Sequence, residues 1–278
     1  MHPIFDNVRW RSALLGAFVF PALLLPSSAA AQWLYSTATT LDVAGVTVTP
    51  RDVVSDLSGS VSVETLAGLP ENTGLRGIHQ EGAVTLFTSR TAVELPGALF
   101  LERRDVASEN GGVYGIELDG SAAGIPLETA IDAVSRDASG DLLLSVDGFV
   151  QIAGLNAARS DVLRWDGVAF SLFFDASSEG IPMELNVDGL HYDTVGDDLL
   201  LSFDAAGSIG GVLFGREDIV RFDPNSGTWS LEFDASSTEP GLATSDLVAV
   251  PEPRVLSSLI AGVGLLLGLS AARSRQSC

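Results

Sequence analysis

The chain repeats itself four times, and that repetition limits its fold more than any other feature. "RDVVSD" from Arg51, "RDVASE" from Arg104, "RSDVLRWD" from Arg159 and "REDIVRFD" from Arg216 share an aspartate followed by two apolar residues, at Asp52, Asp105, Asp161 and Asp218. The spacings are 53, 56 and 57 residues. A near-constant period of this size marks stacked supersecondary units that bury their apolar faces on one another. Other classes recur in the same order. "WLYS" from Trp33, "VTLFTS" from Val84, "DLLLSVD" from Asp141 and "DLLLSFD" from Asp198 form one. "SVSVE" from Ser60, "VYGIEL" from Val113, "AFSLFFD" from Ala169 and "TWSLEFD" from Thr228 form another. Residues 33–56 lie on residues 199–222 without a gap, at a constant shift of 166, which is three periods of about 55.

These segments are short, rich in β-branched and aromatic residues, and bounded by Gly, Asp, Asn and Ser, so they read as strands. The unbroken apolar run of "DLLLS" predicts a strand buried on both faces, and the alternation of "TWSLEF" and "AFSLFF" a more exposed one. Turn stretches such as "DASGD" and "DPNSG" carry the side chains that make tight reversals. A fourth class decides the closure. "LRGIH" from Leu75, "IDAVS" from Ile131 and "VDGLH" from Val187 each precede a "DLLLS"-type strand, whereas "LVAV" from Leu247 precedes nothing. The strand that should follow it is the one that opens at Trp33. The expectation is an all-β domain over residues 32–250. It is a small four-bladed β-propeller whose last strand completes the first blade and so removes two sheet edges. A duplicated β-sandwich is the alternative.

Charge narrows the partners. Residues 32–250 hold 10 arginines, no lysine and 34 acidic residues, a net charge of −24. Such a surface repels phosphate backbones, which argues against nucleic acid. The single cysteine, Cys278, is the last residue, so no intrachain disulfide forms and Cys278 reads as a bystander thiol.

The two ends read as addresses. Residues 1–31 have Arg9 and Arg11, an apolar run of about 14 residues and an alanine triplet, the three parts of a secretory signal peptide cut between Ala31 and Gln32. At the other end residues 255–271 carry no charge and reach about 26 Å as a helix, enough for a membrane span. Arg273 and Arg275 follow as a cytoplasmic basic tail under the positive-inside rule. Pro251-Glu252-Pro253 stands just outside, where two prolines predict extended, unpaired backbone for a peptidase to grip. This ordered combination in residues 251–278 resembles the PEP-CTERM sorting signal. The resemblance implies recognition by an exosortase, a membrane-embedded cysteine transpeptidase of exopolysaccharide-producing Gram-negative bacteria. It also implies an exported protein, tethered to the inner membrane until processing and then held at the cell surface or in the extracellular matrix.

Within the repeats, the chemistry-bearing residues have two readings. Asp52, Asp105, Asp161 and Asp218 cap turns or pair with Arg51, Arg104, Arg159 and Arg216; alternatively, converging on an axis, they hold calcium. His79 and His191 occupy equivalent positions, with Ser135 in the third; they are strand histidines satisfied locally or, with carboxylates, zinc ligands. Trp33, Trp165, Trp229 and Phe222 pack between units or stack on sugars. "GSIGGVLFG" from Gly207 lies between strands rather than before a helix, against phosphate binding. There is no G-x-S-x-G or H-E-x-x-H. No residue is assigned as catalytic, as a metal ligand or as a cofactor ligand. The expected function is binding or structural, with extracellular polysaccharide as a partner. The alternatives are a polysaccharide hydrolase or lyase using a carboxylate pair, and a calcium-dependent adhesin.

Overall fold

The structure, a computed structural model, describes residues 32–57, 60–238 and 247–252. The signal peptide, Pro253, the 255–271 span and the arginine tail lie outside these residues. Blade 1 opens with β1 (Gln32–Thr37), a two-stranded ribbon β2 (Leu41–Val43) and β3 (Val46–Val48), then β4 (Asp52–Leu57) and β5 (Ser60–Thr65). Blade 2 has β6 (Leu75–Glu81), β7 (Val84–Ser89), the ribbon β8 (Val93–Leu95) and β9 (Leu99–Leu101), β10 (Val106–Asn110) and β11 (Val113–Leu118). Blade 3 follows with β12 (Ile131–Arg136), β13 (Leu142–Val146), the ribbon β14 (Val150–Ile152) and β15 (Leu155–Ala157), β16 (Val162–Trp165) and β17 (Phe170–Phe174). Blade 4 has β18 (Val187–Asp193), β19 (Asp198–Phe203), the ribbon β20 (Gly207–Ile209) and β21 (Val212–Phe214), β22 (Ile219–Asp223) and β23 (Thr228–Phe233). After the single-turn helix α1 (Ala235–Thr238), β24 (Leu247–Glu252) returns to blade 1.

The sheets run β24-β1-β4-β5, β6-β7-β10-β11, β12-β13-β16-β17 and β18-β19-β22-β23, so the protein is a four-bladed β-propeller closed by its last strand. β24 lies antiparallel to β1, with Thr37 opposite Leu247 and Gln32 opposite Glu252. The second and third strands of blades 1 and 4 share one register. Trp33 pairs with Asp56 and Leu199 with Phe222, the same two positions moved by 166. The second strand of each blade is buried on both faces, as in β13, where all five residues are buried. The outermost strands β17 and β23 are largely open to solvent and buried only at their last residues, Phe174 and Phe233.

One expectation fails here. Pro251 and Glu252 are not unpaired: they are the last two residues of β24, opposite Trp33 and Gln32. Proline is tolerated there because β24 is an inner edge with a neighbour on one side only, so its missing N–H removes no bond from a second ladder. The folded domain therefore runs to Glu252 rather than Val250.

Packing is between blades rather than within them. The apolar core falls into four clusters, each joining consecutive blades. Phe87, Leu75 and Leu34 join blades 1 and 2, Ile131 and Val106 blades 2 and 3, Phe174 and Phe222 blades 3 and 4, and Phe233 and Trp33 blades 4 and 1. Trp33 stacks on Phe233 at 4.8 Å between centroids, across the seam that β24 closes. The tryptophans named from sequence are thus packing residues: Trp229 lies on Phe222 at 4.8 Å and Trp165 on Phe170 at 4.7 Å.

The repeated aspartates are clamps for the turn that leads each ribbon back into its blade. One carboxylate oxygen accepts from the N–H three residues earlier: Thr49 to Asp52, Glu102 to Asp105, Ala158 to Asp161 and Gly215 to Asp218, at 2.7–2.8 Å. The other oxygen holds the end of the outermost strand, through Thr65 Oγ1, or through the N–H of Gly120, Ala176 or Ala235. Blades are also stitched by backbone bonds. The N–H of Leu75, Ile131 and Val187 donates to the carbonyl of Pro50, Arg103 and Arg159 in the preceding blade.

If β24 closes the ring, a chain ending at Glu252 keeps the domain and one ending at Ser245 opens it. Calorimetry should show a single transition for the first and a Tm lower by on the order of 10 °C or more for the second. Equal melting would mean that the closing strand contributes nothing.

Candidate functional site

The ring has two unlike faces. Each inner strand runs from an upper end to a lower one. The ribbons and the connections between blades lie at the upper end, beside Leu75, Ile131 and Val187. The tight turns within blades lie at the lower end, where Gln32 and Glu252 also stand side by side. Polar chemistry gathers at the upper axis and in a groove beside it.

The inner strands β6, β12 and β18 each carry a bulge near their start, at Leu75/Ile78, Ile131/Ala133 and Val187/Gly189. A bulge frees one residue from the ladder and re-aims its side chain. Arg76, Asp132 and Asp188 occupy those freed positions, whereas β24 pairs with β1 without a bulge, Val248 standing opposite Ser36. Asp132 is wholly buried. Its carboxylate meets Arg76 Nε at 2.8 Å and accepts from Asn186 Nδ2 at 2.7 Å, so blades 2, 3 and 4 are tied at one point. Arg76 also reaches Asp147 at 3.8 Å, and Arg103 holds Asp147 at 2.9 Å. Asp188 accepts from Ser202 Oγ at 2.8 Å. Burial pushes the Asp132 carboxyl up, against Arg76 and Asn186, to about 6. The strands come close here: a Cβ on Gly77 would stand 2.9 Å from the Ala133 Cα.

Lower on the axis, His79 and His191 face each other with ring centroids 6.0 Å apart. Burial pushes His79 down to about 4, with Arg136 adding to the effect. Burial pushes His191 down to about 3, with His79 and Arg221 adding and Asp193 opposing. Ser135, at the third equivalent position, accepts the N–H of Tyr192 at 3.1 Å and joins blades 3 and 4.

Several sequence readings are settled by these positions. Asp52, Asp105, Asp161 and Asp218 sit on the third strand of separate blades and do not converge, so the ring of calcium-holding carboxylates is not formed. Their partners are backbone N–H groups and the hydroxyls of Thr49 and Thr65 rather than the adjacent arginines; Arg104 pairs instead with Glu102 at 2.7 Å. Equivalent clamps even differ in acidity. Burial raises the Asp52 carboxyl, but donation from Thr65 and Thr49 more than reverses this and leaves it lowered. Asp105 has backbone donors and neighbouring Asp119 and Glu102 carboxylates, and its burial leaves it raised. His79 and His191 do meet, as two imidazoles. Among the described residues no group of three or more His, Cys, Asp or Glu is placed to hold a metal. Carboxylates that come near one another share an arginine: Asp132 and Asp147 share Arg76, Asp137 and Asp141 share Arg164, and Asp193, Asp198 and Glu232 share Arg221.

The groove lies beside blade 3. About 380 Å³ is enclosed by Phe149, Arg159, Ser160, Ser177, Ile181 and Met183. Phe149 is 74% exposed and Met183 82% exposed. Arg159 Nη2 is held by the Glu184 carbonyl at 2.5 Å and by Asp204 at 3.1 Å. The result is a flat aromatic face beside hydroxyls and a fixed guanidinium, an arrangement that suits a ligand with one apolar and one polar side. Phe100 and Leu213, at the middle of β9 and β21, are likewise exposed. Residue order alone does not single out either feature. The available signal for the axis was a charge at the second position of strands otherwise apolar, in "LRGIH", "IDAVS" and "VDGLH". For the groove it was Phe149 beside a glycine in a turn.

No family model matches the chain. No curated protein matches it either. Solved structures do. The chain is similar to the extracellular domain of BT4673 from B. thetaiotaomicron, assigned to a one-component system, at 10% identity and TM-score 0.32 over 72% of this chain and 22% of that one. A second structure of that domain, assigned to a hybrid two-component system, matches at 11% identity and TM-score 0.30, over 65% of this chain and 20% of that one. YCF48 bound to D1 peptide matches at 9% identity and TM-score 0.32, over 72% of this chain and 69% of that one. This chain spans about a fifth of the length of the BT4673 domains.

Two outcomes follow from the axis. Removing Arg76 with Arg76→Ala strands a buried carboxylate and should cost about 3 kcal/mol in chemical denaturation, part of which returns in Arg76→Ala/Asp132→Asn. A double variant no more stable than the single one would place the cost elsewhere. For pH, both histidines have folded pKa values below the unfolded 6.5. The unfolded chain then binds more protons, and stability falls as pH drops from about 6.5 toward 4. Asp132, raised from 3.8 to about 6, acts in the opposite sense over the same range, but two histidines outweigh one carboxyl. The dependence of Tm on pH between 6.5 and 4.5 should therefore be shallower in His79→Gln/His191→Gln than in the parent. An unchanged slope would remove the histidines from the account.

Proposed function

We propose that the protein is an exported, tail-sorted binding propeller that presents its upper face away from the membrane and takes extracellular polysaccharide in the groove at Phe149. The observation that carries this reading is the polarity of the ring: Gln32 and Glu252 leave from the lower face, opposite the ribbons and the groove. A signal peptide before Gln32 and a span from residue 255 would both attach on that lower side, and the groove would point outward. The groove's aromatic face and polar rim match the C–H face and hydroxyl edge of a sugar ring, and the fixed Arg159 suits a sugar acid. The net charge of −24 over residues 32–250 keeps the ring soluble in a hydrated matrix.

On this reading an exosortase-like transpeptidase removes the tail at Pro251-Glu252-Pro253, and Arg273 and Arg275 hold the unprocessed end in the cytoplasm. Changing Pro251, Glu252 and Pro253 to alanine should leave the tail on the protein, read by mass in a host that processes the parent. Normal processing would refute the signal. For the groove, a glycan array with the 32–252 ring should give binding that Phe149→Ser weakens about tenfold, the loss of one stacking platform. Binding that ignores Phe149, or an array without any signal, would sink the groove assignment.

A further inference from the structure

The tripeptide read as the sorting signal and the strand that closes the ring share residues. Pro251 and Glu252 stand opposite Trp33 and Gln32 in the β24–β1 ladder. Their place in the repeat shows that this is strand by construction. By ladder register Pro251 is equivalent to Gln80, Arg136 and Tyr192, and Glu252 to Glu81 and Asp193, all within the inner strands of the other blades. Only Pro253 and Arg254 separate Glu252 from the apolar run at residue 255, a reach of about 7 Å. The lower face of a closed ring would thus lie almost on the membrane, with Pro251 and Glu252 paired to β1. A peptidase cleft grips its substrate as an added, extended strand and needs the backbone edge that β1 already occupies.

We propose that ring closure and tail processing exclude each other: the processing enzyme takes Pro251-Glu252-Pro253 only from a chain whose β24 is off β1. This rests on the processing reading above. Cutting adds water, or another amine, across one peptide C–N bond; the ring side keeps a carboxyl or amide and the tail gains an amino terminus. The tail is accordingly lost from chains that have not yet closed, or at the rate at which blade 1 opens locally. A closed ring that escapes stays anchored. A cut after Pro253 leaves all six β24 pairs in place, so the released ring can close behind the cut.

The test locks the strand in the full chain. Ser36→Cys with Val248→Cys, or Tyr35→Cys with Ala249→Cys, joins Cα partners of the ladder, in a Cys278→Ser background. Antiparallel partners lie about 4.5–5.5 Å apart, within disulfide reach, and the pair that oxidises fully is used. In a host that processes the parent, the oxidised variant should lose its tail about tenfold more slowly or not at all, with the parental rate restored by reductant. In parallel, unprocessed chain in detergent is treated with thermolysin, which cuts before aliphatic residues. The Ala249–Val250 bond should be cut slowly in the parent and not in the oxidised variant. Processing of the locked ring at the parental rate overturns the proposal, and so does thermolysin cleavage at that bond that is equally fast in both. If the tail of the parent is never removed in any host while the thermolysin result holds, the sorting reading falls and the strand remains a gate for any protease acting there.

Discussion

The pairing of β24 with β1 is the contact on which the rest of the structure depends. Each inter-blade cluster needs a blade on both sides, and without β24 the first blade lacks the inner strand that packs against β6 and β18. An open arc would expose an unpaired β1 edge and one uncovered apolar face at the seam of Trp33 and Phe233. A chain with no disulfide has no covalent substitute for that closure. With four blades the inner strands crowd the axis, which is why a glycine at position 77 stands against the Ala133 backbone. The same crowding explains how two histidines from opposite blades come to 6.0 Å between ring centroids.

The blades are alike where the repeat is mechanical and unlike where they meet at the axis. The aspartate clamp appears in all four, since every ribbon must return to its blade through the same turn. The bulge position carries Arg76, Asp132 and Asp188 instead, and Arg76 neutralises Asp132 across the boundary between blades 2 and 3. Such a buried pair adds little net stability against an apolar replacement, yet it punishes any mismatch of neighbours. In a ring of near-identical units it gives blade 3 a neighbour preference that apolar packing lacks. The groove at Phe149 has the same origin: the second residue of that turn, equivalent to small residues elsewhere, became a large exposed aromatic.

The sorting reading and the fold meet at a single strand. A tail meant for removal is ordinarily pictured as a free extension. Here its first residues continue the period of the repeat, and the inner strand of blade 1 ends inside the tripeptide. On the proposed reading, anchoring, closure and release draw on the same six residues, and the order in which they occur decides where the protein ends up.

Much of this was legible from residues alone. Strand classes, blade number, the closing strand and the turn-capping aspartates follow from a period of about 55 residues, because alternation and turn chemistry are local and repetition multiplies a weak local signal fourfold. The prolines misled for an equally physical reason: local propensity makes Pro251 a breaker, and only its place on a one-sided inner edge makes it acceptable in a strand. What residue order could not reveal is which side chains face one another across the ring. Asp132 with Arg76 and Asn186, His79 with His191, and the groove of Phe149 with Met183 are brought together by blade rotation about a common axis. Such contacts span 34 residues at the groove and one or two periods at the axis, and nothing in either partner's local neighbourhood records the other.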